Sequence, residues 1–358
     1  MITVASFAVR YTQFLDRHGA PTQPLPPTAA DSSRLVPLYR AMVLARSFDA
    51  KAIALQRTGK LGTYASFLGQ EALAVGVGAA MRPEDVLLPS YRESALMMIR
   101  GVTLRELLTY WSGDERGSNF AAARSDFPIC ITVAAQCCHA VGAAYAFKLR
   151  NEPRVAVCVA GDGATSKGDF YEALNAAGVW ALPVVFVINN NQWAISVPLA
   201  LQTAAQTLAQ KAIAAGIEGE QVDGNDVIAV QHVTQRALEK ARKGGGATLI
   251  EAVTYRLSDH TTADDASRYR DQQELSEHWA LEPVLRLRSY LSNVGAWSKT
   301  DEEALLKESR ERVEAAVAEA QAIPRPRPEA MFDHLYASLP TSLAWQRAEA
   351  LQSETGNG

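Results

Sequence analysis

Two short runs, Val155-Ala156-Val157-Cys158-Val159 and Val184-Val185-Phe186-Val187-Ile188, are apolar at every position. A strand with one wet face alternates, so unbroken apolarity predicts strands covered on both sides, as in a parallel sheet between helix layers. Between them, "DFYEALNAAGVWA" has helical spacing. "EDVLLPSYR" leads into "ESALMMIRG", "CITVAAQ" leads into "HAVGAAYAFKLR", and "ATLIEAVTYRL" forms a further β-rich run. Strands alternating with helices predict a doubly wound, mostly parallel α/β domain.

The flanks read differently. Residues 1–30 form an extended N-terminal arm, because "GAPTQPLPPTAA" is too rich in proline for a helix or a central strand. Such an arm is expected to dock on a partner or to stay mobile. The α/β domain spans 31–295, with a polar loop at 256–270. It opens on a helix that begins near Asp31 and stops at Gly59, and "SFLGQEALAVGVGAAM" is a helix whose small residues admit a close neighbour. Residues 296–358 hold the charged, amphipathic "DEEALLKESRERVEAAVAEAQA", whose alternating charges suit a solvated face, and a proline-rich tail.

Composition narrows the class. Apolar residues make up 48% and charged residues 21%, as in ordinary soluble globular proteins. The net charge of −4 gives no electrostatic reason to expect nucleic acid or a membrane as partner. No run approaches the ~18 apolar residues of a membrane span, and the N-terminus lacks secretory-signal features. The four cysteines, 130, 137, 138 and 158, sit in apolar company and match no zinc spacing, so buried reduced thiols and a cytoplasmic location are expected. His139, at the start of an apolar helix beside Cys137 and Cys138, reads as a satisfied or interfacial histidine.

The chemistry centres on Gly161-Asp162-Gly163 and on Asn189-Asn190-Asn191, which follow the two apolar strands. One right-handed crossover separates these strand ends, so both loops belong on one rim, where parallel sheets bind ligands. The glycines admit backbone close to a ligand, and the following helix N-terminus favours an anion. A carboxylate and an amide oxygen converging there suit magnesium bridging to a diphosphate.

The stretch from Gly161 to Asn191 resembles the thiamine diphosphate motif, Gly-Asp-Gly and Asn-Asn with 26 residues between. The likeness extends over most of residues 35–340, through "GTYASFLGQEA", "LLPSYRESALMMIRG", "QTLAQKAIAAGIEGEQVDGNDVIAV" and "YRLSDHTTADDASRYR". The chain looks like the alpha subunit of the thiamine-dependent first enzyme of 2-oxo acid dehydrogenase complexes, with the thiamine diphosphate-binding fold of that family.

The resemblance implies thiamine diphosphate and Mg2+ as cofactors, with Asp162, Asn191 and the carbonyl of Trp193 as metal ligands. Tyr91 and Arg92 match the pair that holds the diphosphate, and Arg supplies a planar two-bond fork for it. Gly163 and Ala164 match close backbone, and Val133 matches a backbone contact to the aminopyrimidine. His260, in "HTTADD", matches the catalytic histidine, and Thr261 stands where some relatives are phosphorylated. The glutamate that activates the cofactor comes from a beta subunit in this family. The resemblance therefore implies an α2β2 heterotetramer, inactive as the lone chain, serving a dihydrolipoyl acyltransferase core.

Pyruvate is the expected 2-oxo acid. A branched-chain 2-oxo acid and acetoin are the alternatives, and a catalytically silent scaffolding subunit is the alternative of another class. "ITVAAQ" retains Gln136 but places Ile131 and Ala135 where the branched-chain potassium site offers oxygens. Ser94 replaces a histidine common in pyruvate enzymes. A nicotinamide-dependent Rossmann enzyme lacks support, because no Gly-x-Gly-x-x-Gly follows a strand.

Overall fold

The computed structural model describes residues 1–333 and 335–355. Eight strands occur among them: β1 (Arg10–Thr12), β2 (Val86–Leu88), β3 (Ala156–Gly161), β4 (Val184–Asn190), β5 (Trp193–Ala194), β6 (Val197–Pro198), β7 (Glu218–Asp223) and β8 (Thr248–Val253). Six form one sheet in the order β1-β7-β8-β4-β3-β2, every pair parallel, while β5 and β6 make a small antiparallel ribbon.

Side chains alternate across a strand, so each apolar strand feeds two cores. Val157 and Val159 of β3 join Val185 and Val187 of β4 in a core built with helices Val36–Arg57, Glu71–Ala80 and Val227–Arg242. Ala156, Cys158 and Ala160 join Val184, Phe186 and Ile188 in the opposite core, under helices Ala135–Leu149 and Gly168–Val179. This is the doubly wound α/β arrangement expected from the sequence. The small residues of helix Glu71–Ala80 serve close approach: a Cβ on Gly76 would lie 2.7 Å from Val230, and one on Gly78 2.8 Å from Ile99.

Several local expectations differ from the fold. Residues 10–12 of the arm are a strand, in register Arg10↔Glu220 beside β7. The arm docks on its own chain: the amides of Phe14 and Leu15 both donate to Asp226 Oδ2 at 2.7 Å. "CITVAAQ" forms no strand beyond a bridge between Cys130 and Ser90, because its β-branched residues turn outward and Ala134 adopts φ +70°. The tail contains a further helix, Thr341–Thr355. Of the cysteines, Cys137 and Cys158 are buried, Cys130 is half-buried and Cys138 is exposed; all four are free thiols. His139 stacks on Phe127 with ring centroids 6.1 Å apart.

Candidate functional site

Register places the two motifs side by side. Gly161 at the end of β3 pairs with Asn189 near the end of β4, so Asp162 and Asn191 leave adjacent strands at the same rim. A cavity opens there. Its lining contains all nine residues singled out from the sequence: Tyr91, Arg92, Val133, Asp162, Gly163, Ala164, Asn191, Trp193 and His260. They come from five separate segments, gathered because parallel connections return every strand end to the same edge.

Asp162 is 2% exposed, and burial raises its pKa above the usual carboxylate value against the opposing hydrogen bond from Gln202. Gln202 Nε2 donates to Asp162 Oδ2 at 2.9 Å, while Gln202 Oε1 is buried without a partner. Asn191 Nδ2 donates to Gln70 Oε1 at 3.3 Å, and Asn191 Oδ1 accepts from the Trp193 amide at 3.3 Å. The Trp193 carbonyl accepts a long 3.4 Å bond from Arg256 Nη1. The residues expected to hold magnesium thus offer a carboxylate, an amide oxygen and a main-chain oxygen, a donor set that fits a hard cation. Among the described residues, no group of three or more His, Cys, Asp or Glu side chains could hold a metal.

One buried guanidinium, Arg92, lines the cavity, and a second, Arg256, sits against the lining residue His260. Arg92 donates to the carbonyl oxygen of Ser66 and, at 2.8 Å, to the carbonyl oxygen of His260. Arg256, absent from the sequence-based set, is fully buried and donates to the Ile195 carbonyl at 2.8 Å and Tyr269 Oη at 2.9 Å. The hydrogen bonds of both guanidinium groups go to neutral acceptors rather than to carboxylates. Burial, then the neighbouring Arg92 charge, lowers the pKa of Arg256. Asp264 and Asp162 lie within electrostatic reach of Arg256, and Glu93 of Arg92, but no carboxylate hydrogen-bonds either guanidinium, so both can still turn to an anion such as a diphosphate.

His260 lies between them. Arg92 Nη2 is 3.2 Å and Arg256 Nη1 3.4 Å from His260 Nδ1. Guanidinium only donates, so Nδ1 is the acceptor and the ring proton sits on Nε2. Burial first, then the charges of Arg92 and Arg256, push the His260 pKa down to about 4. Asp264 Oδ2 accepts from the His260 amide at 2.9 Å and from the Tyr269 hydroxyl, fixing the loop that carries the ring.

Residues 39–329 match the family described as Dehydrogenase E1 component. The chain belongs to the dehydrogenase E1 component family. Among the curated relatives of this E1 component is the 3-methyl-2-oxobutanoate dehydrogenase subunit alpha of Mycobacterium tuberculosis. It is 43% identical over 320 residues, covering 88% of this chain and 86% of the relative. The pyruvate dehydrogenase E1 component subunit alpha of Mycoplasma genitalium is 39% identical over 335 residues, 94% of each chain. Its Staphylococcus aureus counterpart is 39% identical over 336 residues, covering 93% of this chain and 90% of the relative. E1 components are in general dependent on thiamine diphosphate.

Arg256 was legible in principle, since it stands just past an apolar strand, where a parallel sheet presents ligand-binding groups. Gln70 and Gln202 carried no comparable signal: their importance lies in which amide end meets which partner. Glu93 also lines the cavity, but its Oε2 is engaged by the Ser90 hydroxyl and, at 3.0 Å, by the Arg92 amide. Among the described residues no helix is long and apolar enough to cross a membrane.

Proposed function

We propose that this chain is the alpha subunit of a pyruvate dehydrogenase E1, which decarboxylates pyruvate and passes the acyl group to a lipoyl arm. The observation that carries the reading is one cavity lined by the buried Arg92 and the buried Asp162, with the buried Arg256 guanidinium set against His260 in its wall. That charge pattern suits a metal-bound diphosphate. Arg92, with Tyr91 beside it, would hold the anion, with Arg256 adding positive charge from its place against His260. Asp162, Asn191 Oδ1 and the Trp193 carbonyl hold Mg2+, and Gly163 and Ala164 bring backbone close. Val133 lines the cavity at an exposed position, and its backbone would contact the aminopyrimidine.

Thiamine diphosphate, when bound, supplies a nucleophilic carbon and an electron sink for the loss of carbon dioxide. The chain's own residues bind, orient and move protons. His260 presents Nε2–H as a neutral donor, suited to stabilising developing negative charge and to exchanging a proton during acyl transfer. Electrons and acyl group leave on the lipoyl arm of a dihydrolipoyl acyltransferase.

The carboxylate that activates the cofactor comes from a beta subunit in this reading, in an α2β2 assembly in the cytoplasm. The 43% identical relative, named for 3-methyl-2-oxobutanoate, favours a branched-chain substrate as the second reading. Decarboxylation of pyruvate and of 3-methyl-2-oxobutanoate should be measured with the chain alone and with its partner subunit, each with thiamine diphosphate and Mg2+. Activity only in the mixture, higher with pyruvate, is expected. Preference for the branched acid would replace the substrate, and activity of the lone chain would overturn the divided site.

A further inference from the structure

The three consecutive asparagines at the end of β4 do different work. A strand turns alternate side chains to opposite sides, so Asn189 and Asn191 share one side and Asn190 faces the other. Asn190 Nδ2 donates to Glu251 Oε1 at 2.7 Å. Asn189 and Asn191 both donate through Nδ2 to a single atom, Gln70 Oε1, at 2.7 and 3.3 Å. Gln70 is 1% exposed, and its Nε2 is buried without a hydrogen-bond partner. Only the oxygen end of this glutamine is in use.

A primary amide has two chemically opposite ends, and the end that meets a fixed partner decides what the other end offers. An acceptor at Gln70 obliges both asparagines to present nitrogen to it. The oxygen of Asn189 then accepts from Thr254 Oγ1 at 2.8 Å, and the oxygen of Asn191 accepts from the Trp193 amide. With Gln70 reversed, its NH2 would face two other NH2 groups. Reversing all three amides together would turn Asn191 Nδ2 onto the Trp193 N–H, so the arrangement has one self-consistent orientation.

We infer that Gln70 is a positioning residue: its Oε1 anchors Nδ2 of Asn191 and thereby commits Oδ1 of Asn191 to the cation. This rests on the cation site proposed above. Residues that orient metal ligands through hydrogen bonds typically change metal affinity by about 10- to 100-fold when removed.

The test measures Mn2+ binding by electron paramagnetic resonance, with thiamine diphosphate present and the chain assembled with its partner subunit. Gln70→Met keeps the volume and removes the acceptor, whereas Gln70→Glu keeps the acceptor while replacing the unused NH2 by an oxygen and adding an ionisable group in a buried site. Gln70→Met is expected to raise the Mn2+ dissociation constant at least ~10-fold, and Gln70→Glu to remain within about threefold of the parent. Asp162→Ala should lose the ion in the same assay. Normal binding by Gln70→Met, or equal loss by Gln70→Glu, would overturn the role of Gln70 while the cation site stands. Normal binding by Asp162→Ala would overturn the cation site and this inference with it.

Discussion

Arg92 Nη2 lies 2.8 Å from the main-chain oxygen of His260 and 3.2 Å from Nδ1 of the same residue. One guanidinium therefore holds both the backbone and the ring of the histidine. Arg256 adds a second donor to Nδ1 at 3.4 Å. The tautomer of His260 follows from these donors, and its lowered pKa from burial first and then from the two cations that a diphosphate would neutralise, so anion binding would couple to proton handling at this ring.

The His260 ring should titrate near pH 4 in the cofactor-free protein, below the ordinary ~6.5 of histidine. A lowered folded pKa means that its contribution to stability is fully present above the unfolded value. That contribution is lost as pH falls from ~6.5 towards about 4. Diphosphate binding should move the midpoint upward by screening Arg92 and Arg256. Nitrogen-15 chemical shifts of the imidazole report both the midpoint and the Nε2–H tautomer. An ordinary midpoint without cofactor would contradict this electrostatic account.

Replacing Arg92 by Lys keeps the charge but removes the fork that spans Ser66 and His260. Its thiamine diphosphate dissociation constant should rise at least tenfold, about 1.4 kcal/mol, by calorimetry. Arg256→Met removes a buried charge that makes no hydrogen bond to any carboxylate. The rise in melting temperature that the parent shows on adding cofactor should shrink in this variant. An unchanged rise would place the anion away from Arg256.

Gly161 and Gly163 make a matched pair. A Cβ on Gly161 meets no atom within 4 Å, whereas one on Gly163 would lie 2.7 Å from Ala194 Cβ. Gly163→Ala should cost about 1–3 kcal/mol of stability through overpacking. Gly161→Ala should stay within about 0.5 kcal/mol of the parent. Its methyl group would nevertheless stand in the cavity and weaken cofactor binding. Thermal unfolding combined with cofactor titration separates the two effects, and equal destabilisation would refute the contrast.

Tyr269 links two parts of the 256–270 loop, accepting from Arg256 Nη2 and donating to Asp264, which holds the His260 amide. Tyr269→Phe should lose about 1–2 kcal/mol and speed amide hydrogen exchange across residues 258–266 without altering exchange in β3 and β4. Uniform acceleration would indicate global destabilisation instead.

The chain pattern alone determined the central sheet and the meeting of Asp162 with Asn191. The runs 155–159 and 184–188 are apolar on both faces, and a helix-length crossover between parallel strands leaves their ends on one rim. It did not reveal β1 and β7, whose sequences Arg-Tyr-Thr and Glu-Gly-Glu-Gln-Val-Asp lack that apolar signature. It also made 130–136 look like a strand, since β-branched residues look alike whether they pack in a sheet or line a cavity lip.

Tertiary structure decided the polar chemistry. Arg256 is buried with only neutral hydrogen-bond acceptors, His260 is kept neutral first by burial and then by two guanidinium groups, and Asn191 is oriented by the Trp193 amide and by an oxygen 121 positions away. Hydrophobic periodicity records which face of an element leaves water. Hydrogen-bond direction and desolvation depend on partners that only the folded chain brings together.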